Sequence, residues 1–216
     1  NDLQVATSKE QLEWERLNKL QEEELKKLEE EKLKVELKPV TTPSSNTCSN
    51  TIINGILLVN KKYCLTSNYG GVNATAKKNL DNLIANAKSD GINLKIISGY
   101  RSYAYQKTVY DGWVKSLGEK EADKVSAKPG HSEHQTGLAY DLGGKSCDLS
   151  TCFGDTKEGK WVASNAHKYG FIIRYPNGKT SITGYSYEPW HLRYVGIEHA
   201  KSIYEQKISL EEYLGV

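Results

Sequence analysis

The stretch Ser132-Glu133-His134-Gln135-Thr136-Gly137-Leu138-Ala139-Tyr140-Asp141, answered further along by Glu188-Pro189-Trp190-His191, decides how this chain is read. Two histidines and two carboxylates in compact clusters are the residue types of a catalytic zinc site, where three protein ligands leave a fourth position for water. Read as a strand, Gly137 to Leu142 alternates its side chains between two faces. Leu138, Tyr140 and Leu142 then share an apolar face suited to a core. Gly137, Ala139 and Asp141 share the other, which leaves room for an ion beside the carboxylate. His134 reaches the same point only through a turn, and on spacing alone His131, three residues earlier, competes with it equally. The second cluster conflicts with a regular strand, because Glu188 and Trp190 fall on one face and His191 on the other. A turn or bulge at Pro189 must re-aim one of them. Glu188 suits a general base beside a metal-bound water better than it suits ligation, whereas Asp141 as a ligand helps neutralise the ion.

The 216 residues, 38% of them hydrophobic, suffice for one domain with an appendage. With 29 basic and 27 acidic residues the formal net charge is +2, which gives no electrostatic case for a nucleic-acid partner. The chain starts at Asn1 and contains no apolar run of about 18 residues, so neither a signal peptide nor a membrane span is expected in it. Cys48, Cys64, Cys147 and Cys152 fall into two locally spaced pairs near turn-forming residues. This spacing favours Cys48 with Cys64 and Cys147 with Cys152 and an oxidising compartment, although four cysteines allow three connectivities. The rival reading makes Cys147 and Cys152 ligands of a structural metal.

Ser8 to Leu37 is rich in Glu, Lys and Leu, without Gly or Pro, and opens on a Ser8/Gln11 capping box. Glu22/Lys26, Glu23/Lys27 and Glu30/Lys34 are favourable i,i+4 pairs, so a long solvated helix is expected. Pro39 ends it, and a Thr/Pro/Ser linker follows. Residues 1–46 therefore read as a charged helical stalk and linker, and 47–216 as the catalytic domain. Within that domain, periodicity predicts helices over 74–90, 103–117, 161–169 and 197–206, strands over 94–98, 172–175 and 190–195, and a helix start capped by Ser209 and Glu212. The order indicates an α+β fold.

Ser98-Gly99-Tyr100-Arg101-Ser102, Ser132-x-His134-x-x-Gly137-x-Ala139-x-Asp141 and Glu188-Pro189-Trp190-His191-x-Arg193-Tyr194 together resemble the three motifs of the VanY-type carboxypeptidases. These are zinc D,D- and L,D-carboxypeptidases of bacterial peptidoglycan. The similarity runs from about Asn50 to Leu214 and excludes the charged helix. It implies a central antiparallel sheet with flanking helices, and one Zn2+ held by His134, Asp141 and His191, which chooses His134 over His131. Glu188 would be the base, and Arg101 would bind the substrate's terminal carboxylate or the developing oxyanion. Gln106 and Ser132 match positions that line the substrate pocket in similar enzymes.

The expected activity is removal of the terminal D-alanine from a peptidoglycan stem peptide. The expected setting is a monomer at the bacterial cell envelope or outside the cell, tethered to membrane or wall through the N-terminal region. A peptidoglycan endopeptidase is one alternative; a non-catalytic zinc-stabilised binding module is another, although it would have no use for Glu188. His167 and His199 read as ordinary helix residues, and Trp190 as a core aromatic.

Overall fold

The computed structural model describes residues 48–216; the helix expected over residues 8–37 lies outside the described residues. A short hairpin comes first, β1 (Ile52–Ile53) and β2 (Ile56–Leu57), joined by Asn54 and Gly55, both at positive φ. Asn-Gly is a favoured pair for such a turn because its backbone matches the twist of the flanking strands.

Helix α1 (Ala74–Ser89) starts at Asn73, whose side chain accepts a hydrogen bond from the Ala76 amide at 2.9 Å. It buries Ala76, Leu80, Leu83 and Ala87, one stripe at helical spacing. Then come β3 (Lys95–Ser98), α2 (Tyr103–Leu117) and α3 (Glu119–Val125). A 3-10 turn (Glu133–Thr136) leads into β4 (Ala139–Gly143). Helix α4 (Lys157–Asn165), β5 (Phe171–Tyr175), α5 (Thr180–Thr183), β6 (Glu188–Tyr194), α6 (Ile197–Gln206) and α7 (Leu210–Leu214) complete the chain.

The main sheet is four-stranded and antiparallel in the order β3-β4-β6-β5. Tyr140 and Leu142 of β4 and Leu192 of β6 pack with the α1 stripe, Val162, Ala166 and Phe171 in the principal core. A second cluster joins Ile56, Leu58, Ile172 and Val195 to α6 and α7. The mixed helix and antiparallel-sheet architecture agrees with the expected class.

Three expectations need correction. Helix α4 begins at Lys157, not Trp161, because the Thr156 hydroxyl caps it by accepting from the Gly159 amide at 3.0 Å; residues 166–169 then form a separate 3-10 turn. Strand β4 starts at Ala139 instead of Gly137. Gly137, at φ +67, ends the 3-10 turn, and a Cβ there would collide with the Gly71 carbonyl. Strand β6 begins at Glu188 and carries Pro189 in an irregular stretch, where proline is tolerated.

The structure pairs Cys48 with Cys64 and Cys147 with Cys152. Among the described residues no helix is long and apolar enough to cross a membrane.

Leu142 has no solvent exposure. Leu142→Ala is expected to cost about 2–5 kcal/mol through lost burial and a residual cavity, read from urea unfolding.

Candidate active site

Strand β4 lies between β3 and β6, and its pairing with β6 sets Asp141 directly opposite His191. The cross-strand register thus brings together two residues fifty positions apart in sequence. His134 comes from the 3-10 turn just before β4, which folds its imidazole back over the strand. His134 Nε2 lies 3.1 Å from Asp141 Oδ2, and His191 Nδ1 lies 3.1 Å from Asp141 Oδ1. One ligand-capable atom from each of the three residues falls within 4.8 Å of the others, and all three side chains are buried.

The outer faces of the imidazoles are also defined. His134 Nδ1 is 2.7 Å from the Gly99 carbonyl, a geometry that places its proton there and leaves Nε2 with a free lone pair. His191 Nε2 points toward Glu133 Oε2 at 3.6 Å, longer than a formed hydrogen bond. Asp141 Oδ1 is buried without a hydrogen-bond partner. Three donor atoms converging on one point, one of them an orphaned buried carboxylate oxygen, fit a small divalent cation. Burial works to raise the Asp141 carboxyl, but His134 and His191 overcome it and hold the group well below its ordinary value.

Glu188 reaches this cluster through an irregularity in the sheet. Between the pairs Ile173↔Leu192 and Tyr175↔Glu188, two steps along β5 face four along β6. The extra length turns Glu188, Trp190 and His191 into the same cleft, and Glu188 Oε2 sits 3.7 Å from His191 Nδ1. Burial pushes the Glu188 carboxyl up to about 7, with His191 opposing and Asp141 adding to the rise. A carboxyl near neutrality is well matched to accepting and returning a proton.

Arg101 follows β3 and also lines the cleft. Its guanidinium donates to Gln106 Oε1 at 2.8 Å and to Ser98 Oγ at 3.0 Å. Gln106 is in turn fixed by donating to the Ala127 carbonyl at 2.7 Å. Ser132 is buried in the same wall. The whole cleft encloses about 500 Å³, the range of a small-molecule or short-peptide site.

The remaining histidines stand apart. His131 turns Nδ1 toward the Asn60 carbonyl at 2.8 Å, His167 stacks on Tyr204, and His199 contacts the Tyr213 hydroxyl at 2.9 Å. Trp190, expected in the core, is instead half-buried in the cleft wall, because the bulge turns it outward.

With this geometry in view, comparison with known proteins is decisive. Residues 70–197 match the profile of the VanY family, described as D-alanyl-D-alanine carboxypeptidase. The chain belongs to the VanY family. It is 44% identical to the putative carboxypeptidase YodJ of Bacillus subtilis, over 74% of this chain and 67% of that one. The structure of the LdcB LD-carboxypeptidase superposes with a TM-score of 0.71 at 41% identity, covering 77% of this chain and 93% of that one. The vancomycin-resistance D,D-pentapeptidase VanY from a VanB-type cassette, solved in complex with Zn(II), gives 0.64 at 34% identity, covering 73% and 97%. The chain spans only about half the length of two curated Enterococcus relatives.

Glu133, next to His134 in the chain, has a role that its place in the sequence does not announce. Glu133, fully buried beside His134, accepts from Arg174 Nε at 2.7 Å and Arg193 Nη1 at 2.6 Å. Arg174 also forks onto Glu211 of α7 at 2.6 and 2.8 Å. The available signal was an arginine inside each of two apolar strands, Phe171–Tyr175 and Glu188–Tyr194, since a buried arginine needs an anionic partner.

Burial acts to raise the Glu133 carboxyl, yet Arg174 and Arg193 outweigh it and hold it far below the ordinary 4.5. A depressed carboxyl contributes stability above its unfolded value and loses it as pH falls. The unfolding midpoint in urea is therefore expected to drop as pH falls below 4.5. Glu133→Gln should cost about 3–5 kcal/mol at pH 7 by leaving two buried arginines short of charge, and should show a shallower acid dependence.

Proposed function

We propose that this chain is a zinc-dependent carboxypeptidase that removes the terminal D-alanine from peptidoglycan stem peptides at the bacterial cell envelope. The observation that carries the reading is the convergence of His134, Asp141 and His191, with Glu188 beside them and Arg101 in the same cleft. His134 Nε2, Asp141 and His191 Nδ1 would hold the ion. Zinc held there would bring the pKa of a coordinated water down to near 7 and would polarise a carbonyl.

The chain's own groups do the rest. Glu188 takes the proton of the attacking water and returns it to the leaving amine. Arg101, aimed by Ser98 and Gln106, binds the free carboxylate that marks a peptide's end, or the oxyanion as it forms. Ser132 lines the cleft, while Gln106 acts mainly by holding Arg101. A cation placed to read a terminal carboxylate favours an exopeptidase over an endopeptidase. The proximity of Glu188 to the cluster favours an enzyme over a binding module that keeps metal only for structure. Residues 1–46 serve as a stalk and tether, and residues 47–216 as a monomeric catalytic domain.

Mass analysis of defined tetra- and pentapeptides is expected to show loss of a single D-alanine, abolished by a chelator and restored by zinc. Glu188→Ala should retain zinc and lose at least about 100-fold in kcat; Arg101→Ala should lose about 100-fold or more in kcat/KM on the same peptides. Cleavage inside intact stem peptides with no release of D-alanine would favour the endopeptidase. Removal of residues 1–46 should leave turnover of small peptides and the unfolding midpoint unchanged; a collapse in folding would refute the stalk.

A further inference from the structure

The Cys147–Cys152 bond plays no part in the chemistry above, yet it stands between the protein surface and the base. Cys152 is exposed, Cys147 is half-buried, and the bond closes a step of only five residues. Cys48–Cys64 differs on each count. It spans sixteen residues, neither partner is exposed, and Cys64 runs directly into Leu65, which is buried with Leu57 and Val59. Exposed or strained disulfides are the ones that exchange with outside thiols.

The short loop is also held in an unfavourable backbone shape. Cys147 and Leu149 both take left-handed conformations, φ +64 and +49. A leucine adopts that region only when its surroundings force it. Leu149 is 50% exposed, so core packing is not the force. The constraints that remain are the disulfide and Asp148, which accepts from the Gly144 amide at 3.1 Å and pairs with Lys95 Nζ at 2.5 Å.

The far end of the loop reaches Glu188. Cys152 belongs to a 3-10 turn (Thr151–Asp155) in which Phe153 is fully buried. Gly154 of that turn packs against the residues on either side of Glu188: a Cβ there would stand 2.6 Å from the Tyr187 hydroxyl and 3.3 Å from Pro189 Cβ. Phe153 anchors the middle of the turn, so opening the bond loosens the turn without detaching it.

We propose that Cys147–Cys152 is a thiol-exchange site that controls the position of Glu188: reduction by a dithiol releases the loop, slackens the turn behind Glu188 and lowers turnover while the metal ligands stay in place. A thiolate of the dithiol attacks the exposed Cys152 sulfur, the S–S bond breaks and Cys147 leaves as a thiolate. The second thiol of the reagent then displaces Cys152 and closes the reagent's own disulfide. Two electrons and two protons pass to the protein as two thiols, and the reverse exchange restores the bond. The effect on turnover rests on the carboxypeptidase reading; the exchange and the loosening do not.

The test treats the full chain with dithiothreitol, blocks the freed thiols with iodoacetamide, desalts and reloads zinc. Peptide mapping is expected to show Cys147 and Cys152 blocked at least about tenfold faster than Cys48 and Cys64. Hydrogen exchange at the Gly144, Phe153 and Thr156 amides should quicken. On a pentapeptide ending in D-Ala-D-Ala, kcat should fall about tenfold, with KM within about twofold and one zinc per chain retained. Cys147→Ser/Cys152→Ser, which carries no blocking groups, should show the same fall; if it does not fold, the blocked parent decides. Opening of Cys48–Cys64 first, unchanged amide exchange, full kcat with the bond open, or zinc lost along with kcat would each overturn the proposal. Release of no D-alanine by the untreated parent would instead overturn the carboxypeptidase reading, and the mapping and amide exchange would still decide the thiol site.

Discussion

A buried carboxylate held by two buried arginines underlies the site. Glu133 neutralises Arg174 of β5 and Arg193 of β6, and Arg174 in turn engages Glu211 of α7, which also accepts from Asn60 at 3.1 Å. Two positive and two negative groups thus tie two sheet strands, the 3-10 turn and the C-terminal helix into one neutral cluster. Stripping water from such ions costs several kcal/mol each, so the pairing must be nearly complete to be tolerated. The consequence for chemistry is positional. Glu133 precedes His134 in the chain and lies behind His191, so fixing Glu133 fixes the turn that presents one imidazole and the surface behind the other.

Above that cluster, the β4–β6 register does the assembly. A shift of one residue would send Asp141 and His191 to opposite faces, because side chains alternate along a strand. The larger of the sheet's two register shifts, between Ile173↔Leu192 and Tyr175↔Glu188, then brings Glu188 into the cleft beside His191. Regular pairing places two of the three converging donors, and departure from regularity places Glu188.

Much of this was legible in the sequence because it is written in local patterns. The alternation of Leu138, Tyr140 and Leu142 against Asp141 matches the observed core and cleft faces, and the need for a bulge near Pro189 follows from period two alone. The α1 stripe and the Ser209/Glu212 capping box were readable for the same reason. What was not legible depends on contacts between distant segments. Nothing near Glu133 announces Arg174, and the position of Trp190 in the wall follows from strand geometry that its aromatic character does not report. The Asn54-Gly55 pair is a local turn signal, but its flanking strands, two residues each, are too short for period-two alternation to show.

The central claim is that His134, Asp141 and His191 form one cation site, and calorimetric titration of Zn2+ into chelator-stripped protein tests it most directly. The account predicts saturable binding of one ion per chain, weakened at least about 100-fold in Asp141→Ala, while His131→Ala binds as the parent does. Binding that survives Asp141→Ala undiminished, or that is lost in His131→Ala, would contradict it.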